Sequence, residues 1–145
     1  MKQIFFVAML LSVLLSCSNQ NVQTLTTIAD ARTHPAQLID NGKPGDSIGD
    51  ILVFDQPLLN KEMKPIGNNS GSCTRIRVAH SYQCQWTLTT EDGSILVGGR
   101  EFDEGASTIN IISGTGSYKG IKGEMKSTNN DNGTFTQVLR YRIVN

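Results

Sequence analysis

Residues 134–144 (TFTQVLRYRIV) alternate in character. Phe135, Leu139, Tyr141 and Ile143 fall on one side of an extended chain with Gln137. Thr134, Thr136, Arg140 and Arg142 fall on the other with Val138 and Val144. A period of two predicts a half-buried strand. Similar short stretches, with β-branched or aromatic residues, recur at 22–29, 48–54, 73–78, 82–89, 95–98 and 108–113, and 122–127 reads as a further short strand. Clusters that break extended structure separate them. Glu91-Asp92-Gly93-Ser94 reads as a tight turn, because Asp-Gly tolerates positive φ. Residues 129–133 (NNDNG) read as a second turn, and 33–44, with Pro35 and Pro44, as a connection. Residues 55–71 carry Pro57, Pro65, Gly67, Asn68 and Asn69, and predict loops with at most one short strand. No stretch after residue 30 has helical periodicity. Short strands with turn signals about every ten residues point to a sandwich or a barrel.

A second face is harder to read. Cys84, Trp86 and Leu88 fall together, and a hairpin turn near Ala79-His80 adds Arg75 and Tyr82 to them. Trp, Tyr and Arg on one face suit a pocket wall, an oligomer contact or a surface where long side chains snorkel. The alternation alone does not separate inside from outside.

Composition narrows the class. The 145 residues suit one domain, with 14 glycines and few prolines, as in a turn-rich β protein. Lys+Arg and Asp+Glu are both 13, so no basic excess points to nucleic acid. The N-terminus has a different character. Lys2 precedes an apolar run at 4–15 (IFFVAMLLSVLL), too short to span a bilayer comfortably and of the length of a signal-peptide core. It ends in Leu14-Leu15-Ser16-Cys17, which resembles a bacterial lipobox, with Cys17 as the lipidated first residue of the mature chain. The expected division is a signal peptide at 1–16, a lipidated tether at 17–21 and the folded domain at 22–145. The expected location is the bacterial cell envelope, held to a membrane through the N-terminal lipid. Ser18, not Asp, follows Cys17, which is compatible with an outer-membrane destination. A chance cysteine after an ordinary signal peptide is the plainer alternative.

Export leaves Cys73 and Cys84 as a pair in a compartment where disulfides persist. A tight turn at Ala79-His80 sets Arg77 opposite His80, Arg75 opposite Tyr82 and Cys73 opposite Cys84. Directly opposed Cβ atoms lie about 4.5–5.5 Å apart, close to bonding range. Two free thiols, or a Cys73 facing a pocket, are the alternatives. His34 and His80 add no recognised zinc spacing to the cysteines, so no metal is expected.

The glycine-rich stretch 112–126 (ISGTGSYKGIKGEMK) invites a phosphate-binding reading that its spacing rejects. Gly114 and Gly116 fit neither G-x-x-x-x-G-K-[ST] nor G-x-G-x-x-G, and no helical pattern follows to supply the N-terminal N–H groups. No cofactor is expected. Gly114, Gly116 and Gly120 instead suit a sharp connection between strands, where backbones approach closely.

Here the residues resemble a known family. Gly114-Thr115-Gly116-Ser117-Tyr118-Lys119-Gly120 is similar to the G-[ST]-G-x-[FY]-x-G signature of the allene oxide cyclase and dirigent barrels. Residues 47–54 (SIGDILVF) resemble their S-x-G-D-x-x-x-F strand, Gly71-Ser72-Cys73 their G-x-C, and Tyr82-Gln83-Cys84 their Y-x-[AC]. Residues 92–98 resemble their D-G-x-I-x-V-x-G turn and strand. These motifs run in the family's order over about residues 44–127. The resemblance implies an all-β, eight-stranded antiparallel barrel with a largely apolar lumen, often trimeric. It implies a small apolar ligand, fatty-acid-derived or phenolic, shaped in a dry cavity by orientation.

The family's active-site residues carry over poorly. The cyclase acid on the first strand has no counterpart in Thr26-Thr27-Ile28-Ala29. Asp30, Arg75 and Tyr82 are the catalytic candidates, with Asp50 and Arg77 as further stand-ins; rim or surface roles are the plainer reading of each charge. Trp86, Phe135 and Tyr141 are the candidates for ligand contact. Three functions follow in order: a lipid-anchored barrel that binds or shapes a small apolar molecule, a cyclase-like isomerase, and a structural module of the envelope.

Overall fold

The computed structural model describes residues 21–144. The expectations for the signal peptide and for Cys17 lie outside the described residues. Nine strands follow one another: β1 (Gln23–Asp30), β2 (Gln37–Ile39), β3 (Ile51–Leu59), β4 (Pro65–Arg77), β5 (Ser81–Thr90), β6 (Gly93–Phe102), β7 (Ala106–Gly114), β8 (Ile121–Asn129) and β9 (Thr134–Ile143). Every pairing is antiparallel. From β3 to β9 each strand pairs with the next. β9 then pairs with β1, and β1 pairs with β3 through Ile28–Leu59 and Ala29–Leu58. That last contact closes eight strands into a barrel, the solution that removes exposed sheet edges. β2 lies outside the ring, on the N-terminal half of β3.

Three sequence expectations need correction. Residues 55–71 are mostly strand. β3 runs on through Pro57 to Leu59, and β4 begins at Pro65. A bulge at Leu58/Leu59 and the turn at 60–64 absorb the irregularity that the prolines signalled. β2 arises inside the segment read as a connection. In the β4–β5 hairpin Arg77 faces Ser81 instead of His80, because a bulge between Arg75 and Arg77 takes up one residue. Ala79 sits in that turn at φ 49°. The rest of the hairpin has the expected register, with Arg75 opposite Tyr82 and Cys73 opposite Cys84. The two cysteines form a disulfide across a Cα–Cα distance of 4.0 Å.

Period two turns into packing at one end of the barrel. Leu58, Leu88, Ile95, Ile121 and Leu139 point inward there and are at most 1% exposed. Each such side chain contributes about 1.5–3 kcal/mol by leaving water. The glycine stretch closes this end. A short 3-10 turn at Gly116–Tyr118 places Tyr118 in the core, and Ser117 N donates to Asp92 O at 2.8 Å. Gly116 (φ 58°) and Gly120 (φ 79°) hold left-handed backbone, where a Cβ would also strike the carbonyls of Asp92 and Val144. The segment bends and packs.

Candidate functional site

The opposite end of the barrel is not filled. It is formed by the C-terminal ends of β1, β4, β6 and β8 and the N-terminal ends of β3, β5, β7 and β9. The side chains that alternation sends inward there include Cys73, Tyr82, Glu101, Ser127 and Phe135. They surround a cavity of about 290 Å³. Ala31, Pro35 and Ala36, from the connection after β1, form part of its wall. Its inner limit is polar. Thr27 Oγ1 donates to Gln137 Oε1 at 3.0 Å, and Gln137 Nε2 donates to Asn69 Oδ1 at 3.0 Å. β4 and β9 are not sheet neighbours, so this chain of bonds crosses the lumen. Two residues further along their strands, Leu58 after Gln56 and Leu139 after Gln137 belong to the filled half.

Of the ligand candidates, Trp86 and Phe135 line the cavity. Phe54 meets Trp86 edge to face at 6.4 Å, which sets two aromatic walls at an angle. Tyr141 lies elsewhere. It packs against Tyr118 toward the filled end, and its hydroxyl donates to Gln23 Oε1 at 3.2 Å.

The catalytic candidates also separate. Asp30 ends β1, and its carboxylate accepts from Arg32 Nε and Nη2, both at 2.8 Å, and from Arg32 N at 3.0 Å. These bonds outweigh burial and hold its pKa at about 2. An ionised carboxylate with both oxygens engaged is a poor proton donor or acceptor at neutral pH. Arg75 is a buried anchor. It donates to Asp103 Oδ1 and Oδ2 at 2.7 and 2.8 Å and to the Tyr82 hydroxyl at 2.6 Å, and it pairs with Asp46 at 2.6 Å. It thereby ties the segment before β3 and the β6–β7 turn to the cavity rim. Its guanidinium also lies over the Tyr82 ring, 3.6 Å from the centroid. Tyr82 faces the cavity. Burial raises its phenol's pKa, against the pull of Arg75. Asp50 caps the turn before β3, accepting from Ser47 N at 2.8 Å and Asn41 N at 2.9 Å.

Glu101 was missed by sequence reasoning, which ended this strand at Gly98. It continues the inward series Ile95, Val97, Gly99 on β6, and an acid in phase with a core face was the available signal. Its Oε1 accepts from Ser127 Oγ at 2.8 Å. Burial raises its pKa, while Ser127 and Ser107 pull the other way. Its second oxygen, Oε2, is buried and makes no aligned hydrogen bond among the described residues. Burial in a mostly apolar space thus favours the protonated form of this carboxyl relative to a solvated one.

No family model and no curated protein matches the chain. Solved structures do. A pyocyanin demethylase superposes with a TM-score of 0.67 at 24% identity, covering 83% of this chain and 99% of that one. The pterocarpan synthase dirigent protein PsPTS1 gives 0.66 at 18% identity, over 87% and 98% of the two chains. The Diels Alderase AbmU from Streptomyces koyangensis gives 0.69 at 14% identity, over 88% and 71%. The chain has the dirigent-type barrel fold. At these identities the likeness concerns architecture, and the dirigent-type barrel serves unlike reactions in the proteins named.

Proposed function

We propose that this dirigent-type barrel binds a small, mostly apolar molecule, fatty-acid-derived or phenolic, in the open end of its lumen. The observation that carries the reading is the asymmetry of the lumen. Buried aliphatic side chains fill the interior of one half, with a cleft beside Tyr118 at its outer end, while the other half keeps a largely apolar cavity of about 290 Å³. Eight strands leave an interior that side chains can fill or that can hold one small ligand, and here the two options occupy opposite halves. The solved structures of similar fold include cyclases and dirigent proteins, which is consistent with a barrel that holds small molecules. Trp86, the chain's single tryptophan, lines the cavity and reports on its occupancy. Titration with 1-naphthol should change the Trp86 emission saturably, and Phe135→Ala should weaken the response about tenfold. Emission unaltered by this and other hydrophobic probes would remove the reading.

A second reading, an isomerase or cyclase, is favoured by Glu101. In the protonated form that burial favours, Glu101 could give a proton to a ligand carbonyl and take one back from the adjacent carbon without net change in atoms. Turnover that survives Glu101→Gln would exclude that role.

We further propose that the barrel is exported and held at the cell envelope by lipid on Cys17. The lipobox-like Leu14-Leu15-Ser16-Cys17 and the disulfide support this placement. Intact mass of the detergent-extracted protein should show acyl chains on Cys17, and the same native spectrum should report a trimer or exclude one.

A further inference from the structure

The cavity's inner limit holds polar groups that no described residue satisfies. Gln56 is 4% exposed, lines the cavity, and makes no side-chain hydrogen bond among the described residues. Asn69 stands directly opposite it in the β3–β4 register. Asn69 gives its carbonyl to Gln137, and its amino group has no partner among the described residues. Gln137 differs, since both ends of its carboxamide are engaged. Two carboxamides therefore offer unused donors and an unused acceptor to an enclosure whose other walls are largely apolar. Both residues are buried and line the cavity, so the space inside it is where their free amide groups meet a complement, from water or from a ligand.

That complement has a definable chemistry. A carboxamide offers one donor group and one acceptor side by side, so it pairs with a group that does the same in reverse. The charged side chains lining the cavity are Glu101 and Asp103, both acids, while the nearby Arg75 is spent on Asp103 and Asp46. A ligand carboxylate would be desolvated there with no cation to meet it among the described residues that line the cavity. Phe54 and Trp86, set edge to face, favour a flat body.

Resting on the reading of this cavity as a ligand site, we infer that its ligand is a neutral, flat molecule with an adjacent hydrogen-bond donor and acceptor, of the lactam or hydroxy-ketone kind, held at that edge by Gln56. Gln56 is thus the specificity-determining residue at the inner limit of the cavity, and free fatty acids are selected against.

Three probes of one two-ring outline test this. 2-Quinolone carries the donor–acceptor edge, naphthalene lacks it, and 2-naphthoate adds a negative charge. The Trp86 indole N–H gives one signal in a proton–nitrogen correlation spectrum, and its shift yields each affinity. The expected order is 2-quinolone about tenfold tighter than naphthalene, with 2-naphthoate weakest at neutral pH. Gln56→Met, similar in size, should keep naphthalene binding and abolish the preference. Equal affinities in the unsubstituted protein, tightest binding by 2-naphthoate, or a preference that survives Gln56→Met would overturn the inference while leaving the cavity as a ligand site. No Trp86 shift with any of the three would remove the cavity reading itself. Should the variant fold poorly, the unsubstituted protein still decides. The Gln56 side-chain amide signals should move with 2-quinolone and stay put with naphthalene; any other pattern rejects the proposal.

Discussion

The two ends of the barrel are built from the same strands and solve opposite problems. On β3, Leu58 is fully buried at one end, while Gln56 and Phe54 face open space toward the other. On β5, Leu88 gives way to Trp86 and Tyr82, and on β6, Ile95 and Val97 give way to Gly99 and Glu101. The filled end uses aliphatic side chains that mesh in its interior, and the 3-10 turn carrying Tyr118 packs against them beside a cleft lined by Leu25, Ile66 and Thr90. The open end uses rings, amides and an acid, which pack less completely and carry groups that want partners. Stability is concentrated at one end so that the other can remain under-packed.

That comparison fails first, and most visibly, if the filled end proves dispensable. Leu139→Ala removes a fully buried side chain at the filled end and should cost about 2–5 kcal/mol in chemical denaturation. Phe135→Ala, four residues back on β9 at the open end, should cost clearly less, because its ring is only partly buried and borders existing space. Equal losses would mean that the two ends are packed alike.

The disulfide gives the next largest effect and belongs to the open end. Cys73 and Cys84 join neighbouring strands 11 residues apart, and Cys73 borders the cavity. Replacing both with serine should cost roughly 3 kcal/mol, in keeping with the short loop closed. It should also weaken probe binding, since the wall carrying Tyr82 loses its brace. Unchanged binding alongside lower stability would separate the brace from the site.

Part of the fold was already visible as pattern. The alternation at 134–144 put Gln137 among apolar residues, and the structure uses that residue to bridge the lumen. The Cys73–Cys84 register and the glycine corners followed from strand geometry and backbone sterics, both local properties. Two things were not legible. Pro57 and Pro65 suggested loops, yet a bulge and strand-end positions accommodate them, so tertiary pairing overrode local signals. Which end stays open also escaped, because it depends on how eight strands stagger, a property of no single segment. That is why Tyr141, in phase with Phe135, was grouped with it as a ligand contact although the structure puts it beside Tyr118. Glu101 fell just beyond a strand drawn too short.

A smaller effect tests the glycine stretch. Gly120→Ala puts a side chain on left-handed backbone and against the Val144 carbonyl, and should cost about 1–3 kcal/mol. Probe affinity should be little changed, because the strain lies at the filled end. A large loss of affinity would show that the ends are mechanically coupled.

The finest test asks whether the open end tolerates charge. Burial raises the Glu101 pKa above its unfolded value, so the folded protein binds its proton more tightly than the unfolded chain does. Stability from this group is therefore fully present below the ordinary carboxylate pKa, near 4.3, and declines as pH rises through the raised folded value. Glu101→Gln, which keeps an oxygen for Ser127 Oγ, removes the ionisation. Its melting temperature should match that of the unsubstituted protein below about pH 4 and exceed it at neutral pH. Asp30 supplies the opposite sign. Arg32 holds its pKa at about 2, so its contribution is present above the ordinary carboxylate value and fades as pH falls toward 2. This second effect should be slight, because half of the Arg32 side chain is exposed and water screens the pair. If Glu101→Gln is instead destabilising at neutral pH, the carboxylate is ionised and solvated. The open end would then be a wet cleft, and the contrast with the packed end would be one of hydration and not of vacancy for an apolar guest.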